Sequence, residues 1–162
     1  PCLVPAGSSI GLLAGGTNAV VVEGDFVGQT VFQGPGAGQG PTASAVMADV
    51  LDISRGQVGT TFGVPATRLA AAPRASDAGA AAYYLRMSLQ DAPGTLAKVT
   101  AALGEEGVSI RQMRQYDHEG GAAPVIFVTH PAERASLDGA LGRLGAMEEC
   151  IDAPMALRVE IL

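Results

Sequence analysis

Two short segments carry residue types that hold anions through backbone groups. Gly34 to Gly40 reads GPGAGQG and runs into the helix-forming stretch PTASAVMADVLDIS. Glycines let backbone N–H groups approach a ligand closely, and a helix start adds partial positive charge. Such a loop can hold a pyrophosphate. It can equally be a tight connection whose glycines serve geometry alone, and composition favours that plainer reading. The segment is neither GxGxxG nor a P-loop with its Lys. The second segment, Gln90 to Val99, reads QDAPGTLAKV. Its polar residue, Pro and Gly form a stiff turn presenting N–H groups at a helix N-terminus. There an amino-acid carboxylate can bind, with Asp91 receiving an ammonium or hydroxyl. The competing reading has Asp91 capping the turn and Pro93-Gly94 shaping it.

The remaining polar residues point to no catalytic set. His118 lies between Asp117 and Glu119 in an expected turn, and His130 precedes Pro131 at a strand end. Glu23 and Asp25 flank an expected hairpin turn. Arg111 and Arg114, three apart on a strand, are expected on opposite faces as surface charges. Glu148-Glu149 reads as a solvated loop. No metal-ligand spacing is present, and Cys2 and Cys150 read as free thiols far apart in sequence.

The elements that must position these residues follow from periodicity. Asn18 to Glu23 and Val27 to Gln33 are Val-rich runs around Gly24-Asp25, a hairpin pattern. A helix is expected over 41–55, with Pro41 in its first turn, Val46, Val50 and Ile53 on one stripe widened by Met47 and Leu51, and Gly56 as its left-handed end. From Gln57 to Ala82 no period holds. Pro65, Pro73 and an Ala-rich run suggest a linker with little to bury beyond Val58, Phe62, Val64 and Leu69.

The block from Tyr83 to Leu162 is better patterned. Tyr83, Leu85, Met87 and Leu89 alternate as a strand, and Leu96, Val99 and Leu103 mark a helix stopped by Gly107. Val108 to Tyr116 is a strand whose phase slips near Gln112-Met113, as at a bulge. Gly120-Gly121 turns the chain into the buried strand PVIFVTH. Leu137, Leu141 and Leu144 mark a second helix closed by Gly145. Met155, Leu157, Val159 and Ile161 form a last strand. The order βαββαβ predicts an α+β, ferredoxin-like sandwich, with both helices on one face of a four-stranded antiparallel sheet. A core of that size is marginal alone, which favours pairing with a second copy.

Bulk composition excludes several functions. The chain has 162 residues, a formal net charge of −6 and 48% hydrophobic residues without Trp. Scattered Arg residues and acidic charge argue against nucleic acid. No apolar run is long enough to span a bilayer, and no signal peptide is visible, which predicts a cytoplasmic protein. The chain opens on Pro1 without an initiator Met, so we expect a piece of a longer protein.

The run NAVVVEGDFVGQTVFQGPGAGQGPTASAVMADVLDISRG resembles the end of the homoserine dehydrogenase catalytic domain, whose members carry a similar hairpin, a Gly-x-Gly-Ala-Gly loop and Pro-Thr-Ala-Ser-Ala-Val. From Tyr83 onward the chain resembles an ACT domain, with which regulated members of that family end. The resemblance implies three parts: residues 1–56 from the catalytic domain, a linker over 57–82, and an ACT regulatory domain over 83–162. It implies NAD(P) in the full-length enzyme, touched by Gly36, Ala37 and Gly38 with Thr42 nearby, and none bound to this piece. The helix over 41–55 would pack against an upstream Rossmann domain.

On the ACT side, the resemblance places Asp91 and Gly94 on the effector loop. It matches Ser109 to a position where serine-sensing relatives carry a polar amide. Threonine is the leading effector, at the interface of an ACT homodimer. The family's Rossmann fingerprint, catalytic Lys and acidic substrate-binding residues would lie upstream of Pro1, leaving this piece inactive alone. The alternatives are an amino-acid-binding ACT module of another protein, or a ligand-free dimerisation domain. The Pro-Thr-Ala-Ser-Ala-Val block argues against the first.

Overall fold

The computed structural model describes residues 1–57, 59–60, 62–71, 79–116 and 120–160. The chain divides into two compact units. One joins Pro1–Pro5 to Ser76–Leu162, and the other is Ala6–Ala75. The second unit is thus an insertion in the first.

The larger unit contains the expected βαββαβ series: β4 (Ala82–Gln90), α2 (Thr95–Glu105), β5 (Ile110–Gln115), β6 (Ala122–Thr129), α3 (Arg134–Gly145) and β7 (Met155–Val159). The sheet order is β7-β4-β6-β5, with all three of these pairings antiparallel. Tyr83, Leu85, Met87 and Leu89 of β4 are buried together with Val125 and Phe127 of β6. Val99 and Leu103 of α2 and Leu137 and Leu144 of α3 complete that core. Period-2 alternation in the strands and helical spacing in α2 and α3 therefore converge on one sheet face. The buried Thr129 hydroxyl accepts from the Tyr83 N–H at 2.9 Å, so the core contains this polar pair satisfied. Arg143 of α3 bridges to Glu105 at 2.9 Å and to Glu106, joining the two helices at their solvent side.

A fifth strand was not expected. β1 (Cys2–Leu3) lies parallel to β7, with Cys2 opposite Arg158 and Leu3 opposite Val159. The first five residues therefore group in one compact unit with the C-terminal sheet, to which Cys2–Leu3 add a strand. A two-residue strand carries no periodicity, so its pairing left no signal in the sequence. It covers the edge of β7 at Arg158 and Val159, both half-buried. Ile161, expected to extend that strand, lies outside the described residues.

Two local expectations gain detail. The expected bulge near Gln112-Met113 is present: the register of β5 shifts between Ile110 and Gln112, which makes Arg111 the extra residue. The expectation that Arg111 and Arg114 occupy opposite strand faces lapses with that, although both are exposed. Gly145 closes α3 as expected, as its last residue and without a left-handed conformation. The helix ends through Ala146, whose N–H donates to the Arg143 carbonyl. Gly107 does end α2 as expected, at φ 74°, with its N–H on Gly104 and that of Val108 on Leu103. That is a Schellman closure.

The smaller unit holds a hairpin of β2 (Thr17–Gly24) and β3 (Gly28–Pro35), followed by α1 (Gln39–Ser54). The turn is Asp25-Phe26-Val27, and the left-handed glycine is Gly28 at φ 69°. A three-residue loop closed by a left-handed glycine suits the strand twist, so the special position lies four residues beyond Gly24. Pro41 sits in the first turn of α1, and Gly56 ends the helix at φ 71° with the same paired closure seen at Gly107. None of the residues of α1 is buried. Val46, Val50 and Ile53 are each at least half exposed. Beyond α1 the only regular element described is a 3-10 turn at Ala66–Arg68. Val58 and Pro73 of the expected linker lie outside the described residues.

Candidate effector pocket and glycine loop

The turn after β4 is clamped from two sides. The Gln90 N–H donates to the Glu149 carbonyl at 2.8 Å, its side-chain amide donates to the Glu148 carbonyl at 3.0 Å, and the Asp91 N–H donates to the Gly121 carbonyl at 3.1 Å. Gly94 then adopts φ 90°, ψ −12°, a left-handed conformation that an L side chain resists. This residue is the N-cap of α2, and no side chain caps the helix. The Thr95 N–H is used by the Ala92 carbonyl and that of Lys98 by Gly94. Among the described residues, the N–H groups of Leu96 and Ala97 have no backbone acceptor.

Those two residues line a cavity of about 310 Å³ that also takes in Asp91, Gly94, Gln115 and Val125. The floor is apolar, from Val125, Ala123 and Leu89 of adjacent strands, while the rim is polar. Unpaired N–H groups at a helix start favour a carboxylate, and Asp91 offers the opposite charge across the same small space. The volume suits a ligand of amino-acid size. One turn along α2, Lys98 forms an ion pair with Glu149. The hydrogen bond from Lys98 draws the Glu149 carboxyl below its ordinary range, and the same contact raises the Lys98 ammonium.

The structure brings Asp91 and Gly94 together but leaves Ser109 elsewhere. Ser109 precedes β5 at the sheet end where Ile110 faces Thr129, and its carbonyl accepts from the His130 N–H at 2.8 Å. The pocket is at the other end, where Gln115 faces Val125. Gln115 is the lining residue that reading the sequence missed. The βαββαβ order runs β5 in the same direction as β4, so the end of β5 must come level with the β4–α2 turn. A polar residue there was the available signal.

His130 is exposed, and His118 lies with Asp117 and Glu119 outside the described residues. Glu23 accepts from the Gln29 side chain at 2.6 Å and Asp25 accepts from the Phe26 N–H at 3.0 Å, ordinary turn contacts. Among the described residues, no three His, Cys, Asp or Glu side chains gather to hold a metal, and no helix is long and apolar enough to cross a membrane.

The glycine loop leaves β3 and enters α1 through Gly38, the N-cap, at φ 128°. The Thr42 N–H donates to the Gly38 carbonyl at 3.1 Å, which closes the first helical turn. Gly36, Ala37, Gly38 and Thr42 are all exposed, and no side chain caps the helix. A Cβ at Gly36 would collide with Asn18, and one at Gly38 would require a strained backbone. The loop therefore presents bare backbone beside an uncapped helix start. That fits a phosphate or amide edge of a dinucleotide.

Residues 83–149 match the ACT domain family and residues 1–51 match the homoserine dehydrogenase family. Over its full length the chain is 38% identical to a homoserine dehydrogenase of Pseudomonas aeruginosa. The chain matches the C-terminal part of homoserine dehydrogenases along its whole length. It is 35% identical to the homoserine dehydrogenase of Neisseria gonorrhoeae, again over its full length. It spans 39% of the length of each of these two relatives. The crystal structure of a homoserine dehydrogenase from Thiobacillus denitrificans covers 99% of the chain with 34% identity and a TM-score of 0.81, over 38% of its own chain. A Staphylococcus aureus homoserine dehydrogenase structure, 21% identical with a TM-score of 0.55 over 99% of this chain and 36% of its own, shares the fold. The clamped turn and its cavity lie in the segment that matches the ACT domain, and the glycine loop lies in the segment that matches homoserine dehydrogenase.

Proposed function

We propose that this chain is the C-terminal part of an NAD(P)-dependent homoserine dehydrogenase, interconverting aspartate semialdehyde and homoserine, whose ACT domain senses threonine. The observation that carries the sensing role is the cavity at the start of α2. Leu96 and Ala97, whose N–H groups have no backbone acceptor among the described residues, line it together with Asp91 around about 310 Å³. Threonine's carboxylate meets the helix start, its ammonium meets Asp91, and its methyl rests on the apolar floor.

Ser109 enters this site through dimerisation. β5 is the outer strand of the sheet, and its free edge can pair with a second copy. A two-fold antiparallel pairing of β5 with itself brings the Ser109 end of one protomer beside the Gln115 end of the other. The homodimer and the composition of the effector site are then one proposal. Threonine binding favours one arrangement of the paired ACT domains, and the coupling to catalysis is worth about 1–3 kcal/mol, as allosteric linkages typically are.

The dehydrogenase segment supplies Gly36, Ala37, Gly38 and Thr42 to the cofactor. The nicotinamide dinucleotide supplies the hydride; this chain's loop binds and orients it through backbone groups. The exposed apolar residues of α1 await an upstream Rossmann domain, which would also bring the catalytic Lys. Alone, this chain is inactive and carries no cofactor, and the whole enzyme works in the cytoplasm.

Calorimetric titration of threonine, isoleucine, methionine and serine tests the sensing role. Heat with threonine alone is the expected result. Silence with all four in a chain that still dimerises would make the ACT domain a purely structural module. Homoserine-dependent NADP reduction by the isolated chain would refute its inactivity.

A further inference from the structure

The tightest approach to any glycine in the described chain lies within the hairpin unit. Asn18 pairs with Gly34 across the hairpin, two residues before Gly36. A Cβ on Gly36 would lie 1.5 Å from Asn18 Nδ2 and 2.7 Å from its Cγ. The next closest cases, Gly139 against Glu106 and Gly24 against Val27, stand at 2.6 and 2.7 Å. Neighbouring Gly34 and Gly40 have open space where a Cβ would go. The space beside the Gly36 α-carbon is thus taken by one side chain, the exposed Asn18 amide, which a larger residue at position 36 would displace. Asn is also an unfavourable strand residue, and here it opens a run of Val-rich strand.

We propose that Asn18 is a positioning residue for the glycine loop. Its amide occupies the space beside the Gly36 α-carbon and holds the Gly36–Gly38 backbone in the conformation that meets the dinucleotide. This rests on the reading of that loop as a cofactor contact. Glycine-rich backbone has many conformations to lose on ordering. A short planar side chain wedged against the loop removes much of that freedom before the ligand arrives, which strengthens binding without adding a contact. Both residues border the same open cavity of about 300 Å³, so the wedge and the ligand-facing backbone are continuous.

The test uses the full-length dehydrogenase carrying this segment, with N18A, G36A and the double variant N18A/G36A. The readouts are the dissociation constant of NADPH by fluorescence titration, the melting temperature without cofactor, and kcat at saturating cofactor. N18A is expected to weaken NADPH binding roughly tenfold, with kcat within about twofold of the parent, because only loop order is lost. G36A is expected to weaken binding further. The double variant is expected to bind better than G36A, since the methyl group added at position 36 takes the volume vacated by the Asn18 amide.

Unchanged NADPH affinity in N18A, with G36A weakened, would overturn the role of Asn18 and leave the loop reading intact. Unchanged affinity in G36A would overturn both. A double variant no better than a folded G36A would also overturn the proposal. If G36A fails to fold, a folded N18A/G36A that binds NADPH as N18A does supports it, and a double variant that also fails overturns it.

Discussion

The Glu160 N–H donates a 2.9 Å hydrogen bond to the Leu3 carbonyl, tying the last strand of the ACT sheet to the first residues of the chain. Family matching assigns those first residues to the dehydrogenase segment, yet they pair as a strand of the regulatory sheet. The matched dehydrogenase segment therefore contributes β1 to the sheet that ends in β7.

Replacing Glu160 with proline removes that donor and should destabilise the sheet unit by about 1–3 kcal/mol, the cost of an unmade backbone bond. Glu160→Ala keeps the backbone donor and loses only the contact to Arg158, so its urea midpoint should stay close to the parent's. Equal midpoints for the two variants would show that β1 adds nothing to the sheet.

Gly94→Ala separates conformational strain from steric collision. A Cβ at Gly94 meets nothing within 4 Å, so the penalty is the left-handed backbone alone, about 1–2 kcal/mol. Relaxation of that strain would move the N–H groups of Leu96 and Ala97, and threonine affinity by calorimetry should fall. Retained affinity would separate the helix start from the effector.

The sheet and both of its helices were legible because burial imposes a period on Tyr83–Leu89, on Val99 and Leu103, and on Leu137 and Leu144. Asp91 and Gly94 were legible because a Pro-Gly turn ahead of a helix has few other structures. Gln115 and Asn18 were not. Each acts through a neighbour brought close by strand pairing, and pairing leaves no trace in local composition. Ser109 was carried by resemblance alone, and within one protomer the sheet sets it at the far end from the pocket. The bulge was foreseen near Gln112-Met113, and the register between β5 and β6 identifies Arg111 as the extra residue.

The Lys98–Glu149 pair predicts a specific pH profile. Glu149 is held below its ordinary value, so its contribution is present above that value and is lost as pH falls through the depressed one. Lys98 is raised, so its contribution holds below the ordinary lysine value and fades only at higher pH. The stability difference between the parent and Glu149→Gln should be flat from about pH 5 to 9 and close below about pH 4. Urea midpoints across that range check it. A gap persisting at the acidic end would place the interaction elsewhere.

The two thiols should separate kinetically. Cys2 is exposed, whereas burial, then nearby Asp152, pushes the Cys150 thiol up, and its Sγ–H donates to the Asp152 carbonyl at 3.1 Å. At pH 8 a disulfide reagent should label Cys2 in a fast phase and Cys150 in a slow one, because the thiolate is the reacting form. Peptide mapping after brief labelling assigns the phases. A fast Cys150 would mean that the 147–152 segment opens readily.

The pairing of Leu3 with Val159 also sets an order of events during synthesis. Of these two strands, the first to leave the ribosome waits for the other, which emerges after the rest of their sheet. Until then β4 has an uncovered edge where β7 will pair, a template for neighbouring nascent chains. So long a loop closure slows the final step of folding more than it weakens the finished sheet. The yield of folded protein should depend on how long that edge stays open.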